Sequence, residues 1–208
     1  MYLHKLVVGS SQTNCYIIAN TDTKECAVID PGNDSSIIID IIESNNFKLD
    51  KILITHAHFD HIGAIDDIKK FSNASIIISG TDGTILNSDT LTLSTAFGTV
   101  APKSKPDFFV DDGDILEIAG YTARVISTPG HTPGSVCYYF ESENILFSGD
   151  TLFRDSIGRS DFPGGDFKSI TESIKSKLFT LPPDTKVYPG HNDDTTILHE
   201  KENNFYLI

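Results

Sequence analysis

The stretch Lys51-Ile-Leu-Ile-Thr55-His56-Ala57-His58-Phe59-Asp60-His61 constrains the fold more than any other part of the chain. Its first half is short and continuously apolar, the pattern of a strand buried on both faces, which belongs to sheets covered by helices. Directly afterwards Ile62, Ile65, Ile68 and Phe71 fall at helical spacing. A buried strand, a polar turn and an amphipathic helix in that order predict an α/β architecture with the polar turn at the strand's carboxyl end.

The rest of the chain extends that pattern. Tyr2 to Val8, Cys15 to Ala19 and Cys26 to Ile29 read as strands separated by turn-forming residues, an antiparallel start. Asn33-Asp34 offers an N-cap for a helix whose Ile37, Ile38, Ile41 and Ile42 share one face. Ile76 to Ile78 is a further buried strand, and Thr81 to Lys105 reads as a short helix plus a covering loop. In the second half, Phe108 to Val110, Ile115 to Ile118, Tyr121 to Ser127, Val136 to Phe140 and Ile145 to Phe147 are successive strands. Asp166 is placed to cap a helix with the stripe Phe167, Ile170, Ile174 and Leu178. Val187-Tyr188 is a last strand and Thr195 to Asn203 a last helix. Two strand-rich halves, each closed by helices, argue an α/β sandwich with helices on the outer faces.

Length and charge narrow the classes. At 208 residues, one domain spanning 1–208 is expected, and 39% hydrophobic residues suffice for a core. Sixteen Lys and Arg against 29 Asp and Glu leave a net charge of −13, which repels nucleic acid and anionic membrane surfaces, so neither is expected as a partner. No run approaches the roughly 20 apolar residues of a membrane span, and the N-terminus lacks a secretory pattern, so a cytoplasmic location is expected. Cys15, Cys26 and Cys137 are widely spaced without a CxxC and read as buried, reduced thiols.

Against this background the histidines are not scattered. His56, His58, Asp60 and His61 lie within six positions, and alternate residues leaving a strand point to one side, so His56 and His58 can share one metal ion while Asp60 and His61 face a second. Pro129-Gly130-His131 and Pro189-Gly190-His191 each hold a histidine in a rigid turn after a strand, and Ser148-Gly149-Asp150 ends a strand on a carboxylate. Five of the seven histidines thus occupy strand-end turns; His4 and His199 have no assigned role.

The pattern HxHxDH at 56–61, followed by His131, Asp150 and His191, resembles that of the metallo-β-lactamase superfamily over essentially the whole chain. Gly-Asp-Thr-Leu-Phe at 149–153 and Gly-Arg-Ser-Asp-Phe-Pro-Gly-Gly at 158–165 make it most similar to small, single-domain glyoxalase II-like hydrolases. The resemblance implies an αββα four-layer sandwich with metals at one edge. It implies a first ion held by His56, His58, His131 and Asp150, and a second held by Asp60, His61, His191 and the bridging Asp150. The cofactor expected is a pair of divalent ions, zinc first, with iron and manganese compatible with the same donors.

Departures from relatives narrow the activity. Asp150 stands where superfamily β-lactamases carry a cysteine, His58 where diiron flavoproteins carry a glutamate, and Phe153 where quorum-signal lactonases carry a tyrosine. The length leaves no room for the inserted domain of the nucleases. Only 17 residues follow His191, so the helical domain with which full-length glyoxalase II enzymes grip glutathione is not expected.

The expected reaction is hydrolysis of a small, anionic thioester, S-lactoylglutathione or an analogue on another thiol. Two divalent ions roughly 3.5 to 4 Å apart lower the pKa of a shared water toward about 7, and Asp60 would orient it. A thiolate leaving group, with a parent pKa near 8.5, needs little general-acid help. Asp30 and Thr55 are expected behind the ligands, Asp30 orienting a histidine through its other ring nitrogen. Arg159 and Arg154 are candidates for gripping the substrate carboxylate; the competing reading pairs them with Asp161 and Asp155. The alternative activity is a persulfide dioxygenase with one iron on His56, His131 and Asp150. Protein partners are not legible.

Overall fold

Three antiparallel strands open the chain: β1 (Tyr2–Val8), β2 (Thr13–Ala19) and β3 (Glu25–Ile29). From β3 onward the sheet changes to parallel pairing, which requires a crossover between successive strands. Helix α1 (Ser35–Ser44) leads to β4 (Lys48–Leu53); α2 (Phe59–Ile62) and α3 (Ile65–Ser72) lead to β5 (Ser75–Ser79). The turn α4 (Gly80–Gly83), a long loop with a 3-10 turn at Thr95–Phe97, and β6 (Phe108–Val110) complete this half. The strand order is sequential, β1 to β6. The computed structural model describes residues 1–208 and forms two compact units, residues 1–110 with 117–121, and residues 111–116 with 122–208.

The second sheet contains β7 (Ile115–Ile118), β8 (Tyr121–Ser127), β9 (Val136–Phe140) and β10 (Ile145–Gly149). A two-strand hairpin follows, β11 (Leu152–Phe153) with β12 (Ser156–Ile157), then α5 (Phe167–Ser176), β13 (Lys186–Pro189), β14 (Thr195–Thr196) and α6 (Ile197–Asn203). Its order is β14-β13-β10-β9-β8-β7, and the β10–β13 pair is parallel.

Each unit has its own core. In the first, Ile38 and Ile42 of α1 and Ile65 and Ile68 of α3 are buried with Cys26, Val28, Ile52 and Ile76 of the sheet. In the second, Ile170 and Ile174 of α5 pack with Tyr139, Leu146 and Val187. All three cysteines are buried thiols outside any disulfide, and burial, with Asp50 adding to it, pushes the Cys26 thiol up to about 12. No helix is long and apolar enough to cross a membrane.

Several sequence expectations need correction. The expected stripes are narrower than their periodicity: Ile37, Phe71 and Phe167 are exposed. Asp34 occupies the N-cap position of α1 but adopts a left-handed conformation with φ 53°, and its side chain accepts from Gly9 N at 2.8 Å instead of capping. Asp166 does cap α5, accepting from Ser169 N at 2.7 Å. The helix expected from Ile62 onward is broken at Gly63-Ala64. Gly63 packs so closely on the 31–33 turn that an added Cβ would lie 2.4 Å from the Gly32 carbonyl oxygen, and Ala64 N donates to Pro31 O instead of continuing α2. The fourth strand ends at Leu53, not Thr55, and the last helix begins at Ile197 because Thr195 and Thr196 pair with β13. The β11–β12 hairpin was not anticipated; its strands are too short for a period to register.

Candidate metal centre

In open sheets with parallel strands, functional groups collect at the carboxyl ends, where chain reversals expose side chains that the strands hold rigid. The first unit follows this rule at three adjacent strands. Asp30 leaves β3, the turn Thr55 to His61 follows β4, and Asp82 follows β5. His56, His58 and His61 converge there. The His56 ring lies 4.8 Å from that of His58 and 4.1 Å from that of His61, and all three rings are buried.

The second nitrogens of His56 and His61 are tied to protein acceptors. Asp30 accepts Thr55 N at 2.8 Å on Oδ1, and on Oδ2 it accepts the Thr55 hydroxyl at 2.6 Å and His61 Nδ1 at 3.0 Å. Since Thr55 spends its hydroxyl proton on Asp30, its oxygen accepts from His56 Nδ1 at 3.1 Å. Protonated Nδ1 makes Nε2 the atom through which His56 and His61 would bind a metal ion, the arrangement common to metal-binding histidines. Asp30 holds this position at φ 49°, a left-handed backbone that aspartate tolerates better than most residues. Asp60 Oδ2 accepts from Thr13 Oγ1 at 3.2 Å, which fixes one oxygen of that carboxylate.

The second unit holds a donor set of its own. His131 follows β8, Asp150 follows β10 and His191 follows β13. Because β8 and β10 both pair antiparallel with β9, and β10 pairs parallel with β13, all three residues emerge at the same end of the sheet. The Nε2 atoms of His131 and His191 each lie 3.5 Å from the same oxygen, Asp150 Oδ2. His131 Nδ1 is 2.6 Å from the Arg159 carbonyl oxygen, which can only accept, so this ring also presents Nε2 as a lone pair.

These donors fit divalent metal ions. Ligand bonds of about 2.0–2.2 Å in tetrahedral geometry place neighbouring donor atoms roughly 3.3–3.6 Å apart, and the 3.5 Å separations around Asp150 Oδ2 fall in that interval. The set is imidazole nitrogen and carboxylate oxygen without thiolate, suited to zinc, iron and manganese.

Some contributors carry no sequence signal. Asp82 is buried and accepts Ala57 N at 2.8 Å, pinning the backbone between His56 and His58. The spacing Ser79-x-x-Asp82 resembles a capping box and marks the helix start, since Ser79 Oγ accepts Asp82 N at 3.3 Å, but the pattern does not disclose the bond to Ala57. The Arg159 carbonyl is a backbone group, invisible to residue-type reasoning. Arg159 itself makes two 2.8 Å bonds to Asp161 and stacks over Phe162 at 3.6 Å; Arg154 Nε lies 3.8 Å from Asp155. Both arginines thus have the acidic neighbours that the competing reading named. The Arg159 guanidinium holds the Asp161 carboxyl down at about 2.

His199, unassigned in the sequence, belongs to a separate cluster with Asp155 and Glu200. Glu200 is buried and accepts from Thr195, Asn204 and Asp155 N, while His199 Nε2 lies 2.7 Å from Asp155, so the cluster ties α6 to the β11–β12 hairpin.

The family profile described as "Metallo-beta-lactamase superfamily" matches residues 8–191. A relative from Haemophilus influenzae named hydroxyacylglutathione hydrolase GloC is 34% identical over 100% of this chain and 98% of its own. Among solved structures, BLEG-1, titled a B3 metallo-beta-lactamase, superimposes with a TM-score of 0.95 at 36% identity, covering 99% of both chains. TTHA1623, solved in a di-iron-bound form, gives 0.87 at 32% identity over 98% of this chain and 100% of that one. The two mixed sheets and their helices are the metallo-β-lactamase fold, and the chain belongs to the metallo-β-lactamase superfamily of metal-dependent hydrolases.

Proposed function

We propose that the two donor sets serve one dinuclear centre and that the protein hydrolyses small thioesters. In this reading His56, His58 and His131 hold one ion, Asp60, His61 and His191 the other, and Asp150 bridges them. The observation that carries the two-ion reading is the position of Asp150 Oδ2, 3.5 Å from both His131 Nε2 and His191 Nε2, so that one oxygen neighbours ligands assigned to different ions. The relative solved with two irons supports the count and keeps iron beside zinc and manganese as an occupant.

When bound, two ions of this kind supply a water acidified to near neutrality and a Lewis acid for a carbonyl oxygen. The chain's own residues do the positioning. Asp30, Thr55 and the Arg159 carbonyl fix the direction of three histidines, and Thr13 restrains Asp60, which in this reading orients the attacking water. A thiolate departs without prior protonation because its parent thiol, with a pKa near 8.5, is far more acidic than an alcohol. Thioesters are favoured over other carbonyl substrates by the full-length similarity to a hydroxyacylglutathione hydrolase. Arg159 and Arg154 are the candidate contacts for a carboxylate on the thiol portion; engaging Arg159 means exchanging Asp161 for the substrate. The similarity to a titled B3 β-lactamase makes β-lactams the competing substrate class and lessens the weight of Asp150 in excluding them.

Metal content per chain, measured with turnover of S-lactoylglutathione, a β-lactam and, under oxygen, glutathione persulfide, tests the proposal. Two ions per chain with oxygen-independent thioester cleavage is the expected result. One iron with oxygen uptake, or cleavage of the β-lactam alone, would overturn it.

A further inference from the structure

The carbonyl that meets His131 belongs to a segment without regular structure, since residues 158–166 form neither helix nor strand. Both ends of the segment are fastened beside the second unit's donors. Gly158 N donates to Thr151 O at 3.3 Å, next to Asp150, and Asp166 N donates to Gly130 O at 2.8 Å, next to His131. Between these anchors the Arg159 carbonyl oxygen sits 2.6 Å from His131 Nδ1. A peptide plane outside helix and sheet turns readily about its two flanking single bonds, so this carbonyl needs a local restraint to keep its direction.

The side chain of the same residue supplies one. Arg159 Nε and Nη2 each donate to Asp161 at 2.8 Å, one bond to each carboxylate oxygen, and the guanidinium lies 3.6 Å from the centre of the Phe162 ring. The two paired side chains leave the backbone on either side of the peptide that carries the Arg159 carbonyl. Their pairing therefore closes a ring around that peptide. Turning the carbonyl away from His131 means opening the ring, against two charge-assisted bonds in a fixed fork and a cation held on an aromatic face. The next peptide is confined as well, because a Cβ added to Gly165 would lie 2.5 Å from the Ser160 carbonyl oxygen. With the arginine side chain 53% exposed and the aspartate 69%, the pair adds little to overall stability. What it fixes is direction.

We propose that Arg159 and Asp161 are positioning residues for His131, their ring holding the Arg159 carbonyl against Nδ1 and so keeping Nε2 aimed at the metal ion. The proposal rests on His131 being a metal ligand and is independent of the thioester as substrate. A free carboxylate that took the place of Asp161 would leave the ring open. Gripping a substrate through Arg159 and aiming His131 are thus competing uses of one guanidinium.

The Nδ1 proton of His131, followed by NMR, reads the carbonyl contact directly, with zinc or without it. Asp161→Ala opens the ring at an exposed position, so the melting temperature should barely move. Exchange of the His131 proton with water should quicken about tenfold, and competition with a chelator should show at least one zinc per chain held about tenfold less tightly. Asp161→Glu, which can still close the ring, should recover most of both effects, whereas acetate added to Asp161→Ala should recover neither. Asp107→Asn, which breaks the Lys69–Asp107 pair in the first unit, should leave both at the wild-type value. Unchanged proton exchange or unchanged zinc affinity in Asp161→Ala would overturn the proposal. So would a lower KM for an anionic thioester with zinc affinity intact, the signature of a guanidinium that only grips substrate. If the proton exchange quickens in a protein that takes up no zinc, the hold of the ring on His131 stands and the metal reading fails.

Discussion

Gly158 lies directly behind Asp150, so that a Cβ added to the glycine would fall 1.7 Å from the Asp150 carbonyl oxygen. The first unit has a counterpart, since a Cβ on Gly32 would fall 1.6 Å from the Asp60 carbonyl oxygen. Each of these two aspartates is thus backed by a glycine whose missing side chain lets two backbones touch. Neither neighbour can yield by rotating a side chain, because the clash is with main chain. Gly158→Ala is therefore expected to displace Asp150, lowering metal content per chain and cutting activity more than tenfold, with a stability loss of about 1–3 kcal/mol. Metal analysis and thermal melts of the variant check both effects.

Asp30 and Thr55 act on the ligands at one remove. Asp30→Asn keeps the shape but turns an acceptor-only carboxylate, one oxygen of which accepts two hydrogen bonds, into a group that also donates, which weakens the acceptor His61 and Thr55 share. Metal affinity or activity should fall about 10–100-fold. Thr55→Val removes only the contact to His56 and one bond to Asp30, and should fall in the same direction by less. Competition titrations with a chelator measure both; equal affinity in wild type and Asp30→Asn would contradict the assigned role.

The bridging role given to Asp150 separates it from His191. Asp150→Ala should lose both ions and nearly all activity, while His191→Ala should retain close to one ion per chain. Identical metal retention in the two variants would exclude a shared carboxylate.

The Arg159–Asp161 pair makes a pH prediction. Asp161 titrates at about 2, below the ordinary carboxylate range near 3.9. A depressed folded-state value means that the pairing favours the folded form above pH ~3.9 and that this contribution fades as pH falls through about 2. The carboxyl carbon of Asp161 should therefore report a midpoint near 2 by NMR, rising toward the ordinary value in Arg159→Ala. Since the pair is solvent-exposed, the change in overall stability should be slight.

Much of the site was legible because its side chains lie close together in sequence or follow recognisable strand ends. The alternation from His56 to His58, and the Pro-Gly turns before His131 and His191, follow from local geometry alone. Asp30 was legible as well: an acid ending a strand is a natural second support for a histidine, and it accepts from His61. What escaped were interactions whose signal is not a side-chain type. The Arg159 carbonyl reaches His131 across 28 positions, and Asp82 reaches the Ala57 amide across 25. The break at Gly63 escaped for a similar reason. Ile62, Ile65 and Ile68 keep a helical period through a kink, and only the approach of Gly32 reveals why the helix stops there. Exposed Ile37 and Phe167 show that periodicity marks a face without fixing how far the neighbouring layer extends over it.

The anchoring of His56, His61 and His131 by Thr55, Asp30 and a main-chain carbonyl has a consequence for metal supply. Because protein acceptors already aim the rings, little reorganisation is needed when an ion arrives or leaves, and loading can proceed without refolding. Aim is fixed, whereas hardness is not: nitrogen and oxygen donors without a thiolate discriminate weakly among zinc, iron and manganese. The occupant will accordingly follow the ions that the surroundings provide, and preparations of one chain grown on different metals should differ in colour and spectroscopy while sharing one fold.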